Sequence, residues 1–220
     1  MAGGPDRVEA QRRYDRMAAS YHCCLGLRSS RIARYVEGVR KRAVAALQLM
    51  PGQTVIDVGC GTGDSFSRLL AAVGPEGRVI GIDQSRRMLE VATKRIADEG
   101  WRNVALIDAA VQEAELPEAD AAIFFFTHDL MRTPAALDRV AMAIRPGGRV
   151  VAAGMRRPSL WLARMALPTR RIMRRYTTTD EGLDEPWDLL AARLEGVTTE
   201  SLVFGTLYIV AGLRPVSPRA

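Results

Sequence analysis

The sequence holds few cysteines and few histidines, and it has no long apolar run and no low-complexity tract. Three cysteines occur in 220 residues, Cys23 and Cys24 side by side and Cys60 inside a glycine-rich stretch, so no disulfide framework can be drawn. The stretch His22-Cys23-Cys24 makes a poor ligand set, because neighbouring residues on a helix do not face one another and no second ligand cluster accompanies it; no metal is expected. No segment approaches the ~18 apolar residues of a membrane span. The opening residues Met1 to Arg7 lack the apolar core of a secretory signal, and the expectation is a cytoplasmic protein.

What is present reads as one globular domain over residues 1–220, with 48% hydrophobic and 25% charged residues. A formal charge of +6 favours acidic partners such as phosphates or an anionic membrane surface, although solvated faces produce the same excess. The centre of the chain is Val55-Ile56-Asp57-Val58-Gly59-Cys60-Gly61-Thr62-Gly63, followed by Phe66, Leu69, Leu70 and Val73 at helical spacing. This predicts strand, glycine turn, helix. Glycines let a ligand lie against bare backbone, and the helix start offers unpaired N–H groups. A second apolar run, Arg78 to Asp83, ends in an acid twenty positions after Gly63. A carboxylate at that strand end can accept both hydroxyls of a ribose.

Asp57-Val58-Gly59-Cys60-Gly61-Thr62-Gly63 together with Asp83 resembles the first two motifs of the class I S-adenosylmethionine-dependent methyltransferases. The alternating glycines differ from the G-x-G-x-x-G of nicotinamide enzymes, which must seat a pyrophosphate. The resemblance extends from about Tyr14 to Leu213. It implies an α/β, Rossmann-like, doubly wound seven-stranded sheet, mostly parallel with an antiparallel C-terminal strand. It also implies S-adenosylmethionine as cofactor, with Asp57, Gly59, Cys60, Gly61 and Gly63 around its amino-acid end. By the same resemblance, Gln84 and Met88 line the adenine, and Asp108 with the backbone at Ala109 hydrogen-bonds its edge. Tyr14 and Tyr21 either cover the methionine end or pack an N-terminal helix onto the sheet.

Further elements follow from periodicity and punctuation. Residues 1–50 form a helical cap in which Ile32, Val36, Val39, Ala43 and Leu47 share a face, stopped by Pro51-Gly52. Ser85 is placed as the N-cap of a helix running to Gly100. Strands are expected at 104–107, 121–126, 150–154, 198–204 and 207–213, with helices after Pro134 and Pro186. Residues 155–185 break the alternation as an inserted lid, and the part from Arg156 to Tyr176 carries seven Arg and no acid beside Trp161, Leu162 and Met165. That composition suits either a water–lipid boundary or a cap over a soluble acceptor.

Phe126-Thr127-His128-Asp129 falls where the fourth strand opens into the ligand crevice, and His128 is the candidate general base, with a structural role as the other reading. The expected reaction is methyl transfer to a nitrogen or oxygen of a small molecule. A phosphatidylethanolamine-type lipid headgroup, an RNA, or cofactor binding without methyl transfer are the alternatives. Exocyclic-amine nucleic-acid methylation is disfavoured, because Phe126-Thr127-His128-Asp129 lacks the Asp/Asn-Pro-Pro-aromatic run that grips a flipped base. RNA is disfavoured because aromatic and Arg residues do not interleave as in an RNA-binding module. The chemistry limits what residues must do, since alignment alone can supply ~7–11 kcal/mol of the barrier.

Overall fold

The computed structural model describes residues 7–17, 31–157, 161, 179 and 181–216. Tyr21, most of the 155–185 segment and most of its arginines lie outside the described residues. The described elements are α1 (Arg7–Met17), α2 (Arg31–Ala46), β1 (Thr54–Val58), α3 (Phe66–Val73), β2 (Arg78–Asp83), α4 (Arg86–Glu99), β3 (Val104–Asp108), β4 (Ala119–Phe125), α5 (His128–Met131), α6 (Pro134–Ala143), β5 (Ile144–Met155), α7 (Asp188–Ala191), β6 (Glu195–Leu202) and β7 (Leu207–Leu213). The strands form one seven-stranded sheet in the order β3-β2-β1-β4-β5-β7-β6. β1 pairs parallel with β2 and β4, β2 with β3 and β4 with β5, whereas β7 runs antiparallel between β5 and β6.

Because strand side chains alternate, the central strands feed two cores at once. Ile56, Val58, Ile80, Ile82, Ala122 and Phe124 pack with Leu137 and Val140 of α6 on one face. Val55, Val79, Ala121 and Ile123 pack with Val39 and Ala43 of α2, Phe66 and Leu69 of α3, and Leu89 and Ala92 of α4 on the other. Reversal of the strand order at β1 opens the crevice beyond the strands' C-terminal ends, where such folds place ligands. Ser85 caps α4 as its sequence position requires, accepting from the Met88 N–H at 3.3 Å, and Gly100 ends that helix in the left-handed conformation.

Three boundaries depart from the sequence reading. β5 begins at Ile144, not Val150, because Ile144 pairs with Ala119 and the register then shifts before Arg149 meets Ala121. The helix expected after Pro186 shrinks to Asp188–Ala191. Gly196 lies inside β6, which starts at Glu195 and pairs irregularly with β7 up to Thr198.

Gly81 marks the tightest passage between sheet and helix layer. A Cβ there would stand 2.7 Å from Phe66 Cζ, 2.8 Å from Cys60 Sγ and 3.0 Å from Leu106 Cδ2. Phe66 is fully buried and cannot swing away. Gly81→Ala should therefore destabilise the fold by about 1–3 kcal/mol through overpacking, read by urea denaturation; unchanged or higher stability would contradict this packing.

Candidate functional site

The glycine turn after β1 is shaped by backbone bonds to the tip of β2. The N–H groups of Gly59 and Cys60 both donate to the Ile82 carbonyl oxygen, at 2.8 and 3.0 Å. Gly59, Gly61 and Gly63 all have positive φ, at 71°, 54° and 73°. Asp83 completes the tie, its Oδ2 accepting from the Gly61 N–H at 2.9 Å and its Oδ1 from the Ser85 N–H at 2.8 Å. Burial raises the Asp83 pKa, opposed by these N–H donors and that of Gln84.

A pocket opens directly above this turn. Its one wall comprises Gly59, Gly61, Asp83, Gln84 and Met88, with Ala10 and Tyr14 of α1 above them and Val111 and Gln112 beside them. Its other wall is Phe125, Phe126, Thr127, Asp129, Leu130 and Thr133, from the end of β4 through α5. α1 is fastened over the first wall: Gln11 Nε2 donates to the Gln84 carbonyl oxygen at 3.1 Å, and the Ser85 hydroxyl donates to Asp15 Oδ1 at 2.6 Å.

The pocket thus gathers Tyr14, Gly59, Gly61, Asp83, Gln84 and Met88 from the sequence candidates. Tyr21 lies outside the described residues, and the other described candidates do not line the pocket, each for a physical reason. Asp57 points from β1 to the face that Val55 shares with α2, and it is buried beneath the turn. The Cys60 side chain turns into that same core, where burial raises its thiol pKa. Gly63 abuts the Phe66 ring, so its missing Cβ serves packing within the turn. Asp108 is exposed at the end of β3, and the Ala109 N–H already donates to the Asp83 carbonyl oxygen at 3.2 Å. A short 3₁₀ turn, Val111–Glu113, carries Val111 and Gln112 to the pocket instead.

His128, the candidate base, sits away from the pocket lining. It is buried, its Nε2 lies 3.1 Å from the Glu181 carbonyl oxygen, and it does not line the pocket. An acceptor carbonyl places the proton on Nε2. The cause lies two residues earlier: Phe126 adopts φ 58°, and its N–H donates to the Ala153 carbonyl oxygen at 2.8 Å. This reversal aims Thr127 and Asp129 at the pocket and turns His128 toward residue 181. Sequence position flagged the stretch, but no pattern in it reveals a left-handed phenylalanine.

Two observations fit an S-adenosylmethionine-sized ligand with a cationic amino-acid end. A Cβ on Gly59 would come within 2.6 Å of Thr127 Cγ2, so only glycine allows β1 and β4 to close this near the turn. The buried atoms Asp57 Oδ2, Thr62 Oγ1 and Thr127 Oγ1 have no hydrogen-bond partner, although all three lie around that turn. Unsatisfied buried polar atoms are uncommon and mark a place where a ligand or water belongs.

Burial raises the Asp57 pKa from 3.8 to about 7; Arg40 pulls it down, while Asp83 and Asp64 push it further up. An acid with a higher pKa folded than unfolded stabilises the fold fully below its unfolded value, and this contribution disappears as pH rises through about 7. Between those pKa values the wild type should lose about 1.4 kcal/mol per pH unit relative to Asp57→Asn, with a constant difference above pH ~7.5. Urea denaturation across pH 5–8 reads this directly. A pH-independent difference would show that Asp57 stays ionised.

Residues 55–148 match the family described as "Methyltransferase domain". The ubiquinone/menaquinone biosynthesis C-methyltransferase of Coxiella burnetii is 31% identical over 151 residues, 67% of this chain and 59% of the relative. The demethylmenaquinone methyltransferase of Halalkalibacterium halodurans is 36% identical over 126 residues, 55% of this chain and 51% of the relative. The chain thus spans between half and three-fifths of the length of these relatives. A SAM-dependent methyltransferase structure from Aquifex aeolicus superposes with a TM-score of 0.58 at 20% identity, covering 80% of this chain and 89% of that one. Residues 55–148 match a methyltransferase domain, and the chain has the fold of the class I S-adenosylmethionine-dependent methyltransferases.

Proposed function

We propose that this protein transfers a methyl group from S-adenosylmethionine to a ring carbon of a small hydroquinone-type acceptor. The observation that carries the cofactor half is the Asp83 carboxylate, which faces the pocket while bracing the glycine turn through Gly61. A carboxylate at this strand end suits the vicinal hydroxyls of a ribose. Gln84 and Met88 continue the same wall, and Tyr14 roofs it from α1. When bound, the cofactor supplies a methyl group made electrophilic by its sulfonium.

The acceptor half draws on the opposite wall and on the relatives. Phe125, Phe126 and Leu130 form an apolar, partly aromatic surface suited to a planar ring, with ring centroids of the two phenylalanines 4.7 Å apart. The relatives named above are called C-methyltransferase and demethylmenaquinone methyltransferase, which favours carbon over the nitrogen or oxygen expected from the sequence. An electrophilic methyl needs an electron-rich carbon, so the reduced hydroquinone, not the quinone, is the reactive form. The two walls between them align ring and methyl and keep water out, which is most of what such a displacement requires.

Calorimetry tests the cofactor half. Asp83→Ala should weaken S-adenosylmethionine binding by more than ~1.5 kcal/mol, since charge-assisted hydrogen bonds are lost. Unchanged affinity would remove the ribose role of Asp83, and equal binding of a nicotinamide dinucleotide would contradict the cofactor.

A further inference from the structure

We propose that Asp129 is the group that takes the acceptor's hydroxyl proton, with Phe126 and Leu130 seating the ring that bears it. The inference rests on the methyl-transfer reading above and names a residue for its chemical step. Among the described residues the pocket is lined by two carboxylates, Asp83 and Asp129. They sit beyond the ends of β2 and β4, which flank β1, so the strand ends that carry them are roughly 9–10 Å apart, two strand spacings. Asp83 is engaged with the Gly61 and Ser85 N–H groups at the β2 end. Asp129 stands at the β4 end, beside the apolar wall.

The backbone around Asp129 holds it in place. Its carbonyl oxygen accepts from the Thr133 hydroxyl at 2.8 Å, and the Thr127 carbonyl oxygen accepts from the Met131 N–H at 3.1 Å. The left-handed Phe126 ahead of them is unfavourable for an aromatic residue, and backbone strain of this kind gathers where side chains must be aimed. His128, the other base in this stretch, faces Glu181 outside the pocket lining. Phe126 and Leu130 flank Asp129 in the pocket lining and give it an apolar neighbourhood on the acceptor side.

The step balances without an added oxidant or reductant. The hydroxyl proton passes to the Asp129 carboxylate, and the oxygen's electron pair feeds the ring. The neighbouring ring carbon then bonds to the methyl carbon, while the carbon–sulfur pair leaves with sulfur. The same ring carbon loses its hydrogen as a proton, and the oxygen regains one from Asp129. One proton is released overall.

The test uses 1,4-naphthohydroquinone as acceptor, kept anaerobic, with wild type, Asp129→Asn and Asp129→Glu. The Asn variant should bind S-adenosylhomocysteine within about twofold of wild type, lose kcat by ~10²-fold or more, and lose the acid limb of its kcat pH profile. Glu should restore part of kcat together with that limb. With S-adenosylhomocysteine present, wild type should bind the hydroquinone more tightly than its dimethyl ether, and the Asn variant should narrow that preference. An Asn variant that keeps kcat and the acid limb overturns the proposal, as does one that loses only cofactor affinity. Wild type that binds the cofactor yet neither methylates the hydroquinone nor prefers it to the ether overturns the role of Asp129 and leaves methyl transfer standing. Failure of wild type to bind the cofactor at all strikes the parent reading instead.

Discussion

The Asp83 carboxylate accepts from Gly61 with one oxygen and from Ser85 with the other, and the site is assembled around that pair of bonds. The first bond fixes the glycine turn after β1, and the second fixes the start of α4, so one side chain sets the positions of two loops that border the pocket. The Ile82 carbonyl reinforces the first by holding Gly59 and Cys60. Ser85 passes the constraint outward, because its hydroxyl reaches Asp15 of the roofing helix α1 while it also caps α4. Charge-assisted bonds of this type are about twice as strong as neutral ones, which suits them to holding irregular backbone at a ligand site.

Beneath the turn the electrostatics run the other way. Asp57, Asp64 and Asp83 crowd one another, Arg95 pairs with Asp64 at 2.6 Å and Arg40 lies 3.9 Å from it, and Asp57 is held partly protonated near neutral pH by burial. Arg40 itself is placed by stacking 4.4 Å over the Phe125 ring, and Phe125 also lines the pocket. A cationic ligand end above such a cluster meets favourable charge with no further rearrangement. The neighbouring carboxylates add to burial in favouring the neutral form of Asp57, and Arg40 opposes both.

The sequence made the central strands, the glycine turn, Asp83 and the Ser85 cap legible, because each depends on local rules: alternation, glycine φ, and capping chemistry. Gly59 and Gly61 reach the pocket as those rules require, whereas Cys60 and Gly63, from the same motif, serve packing. The acceptor wall turns on a feature that periodicity cannot see. Phe126 at positive φ ends β4 and a helical turn starts at His128, so Thr127 and Asp129 line the pocket while His128 does not. Asp108 is outside the pocket lining, which the chain reaches after it bends into the turn at Val111. Ile144 joins β5 early through a register shift that depends on Ala119, a partner 25 positions away by the numbering.

The central claim is that the crevice above the β1 turn receives S-adenosylmethionine by its ribose and amino-acid end. A crystal structure of the protein with S-adenosylhomocysteine tests it most directly. The account predicts both ribose hydroxyls on the Asp83 carboxylate, the amino-acid end over Gly59 and Gly61 near Thr127, and the sulfur directed toward the wall that carries Asp129. A ligand seated elsewhere, or one in this crevice whose ribose does not touch Asp83, would contradict it.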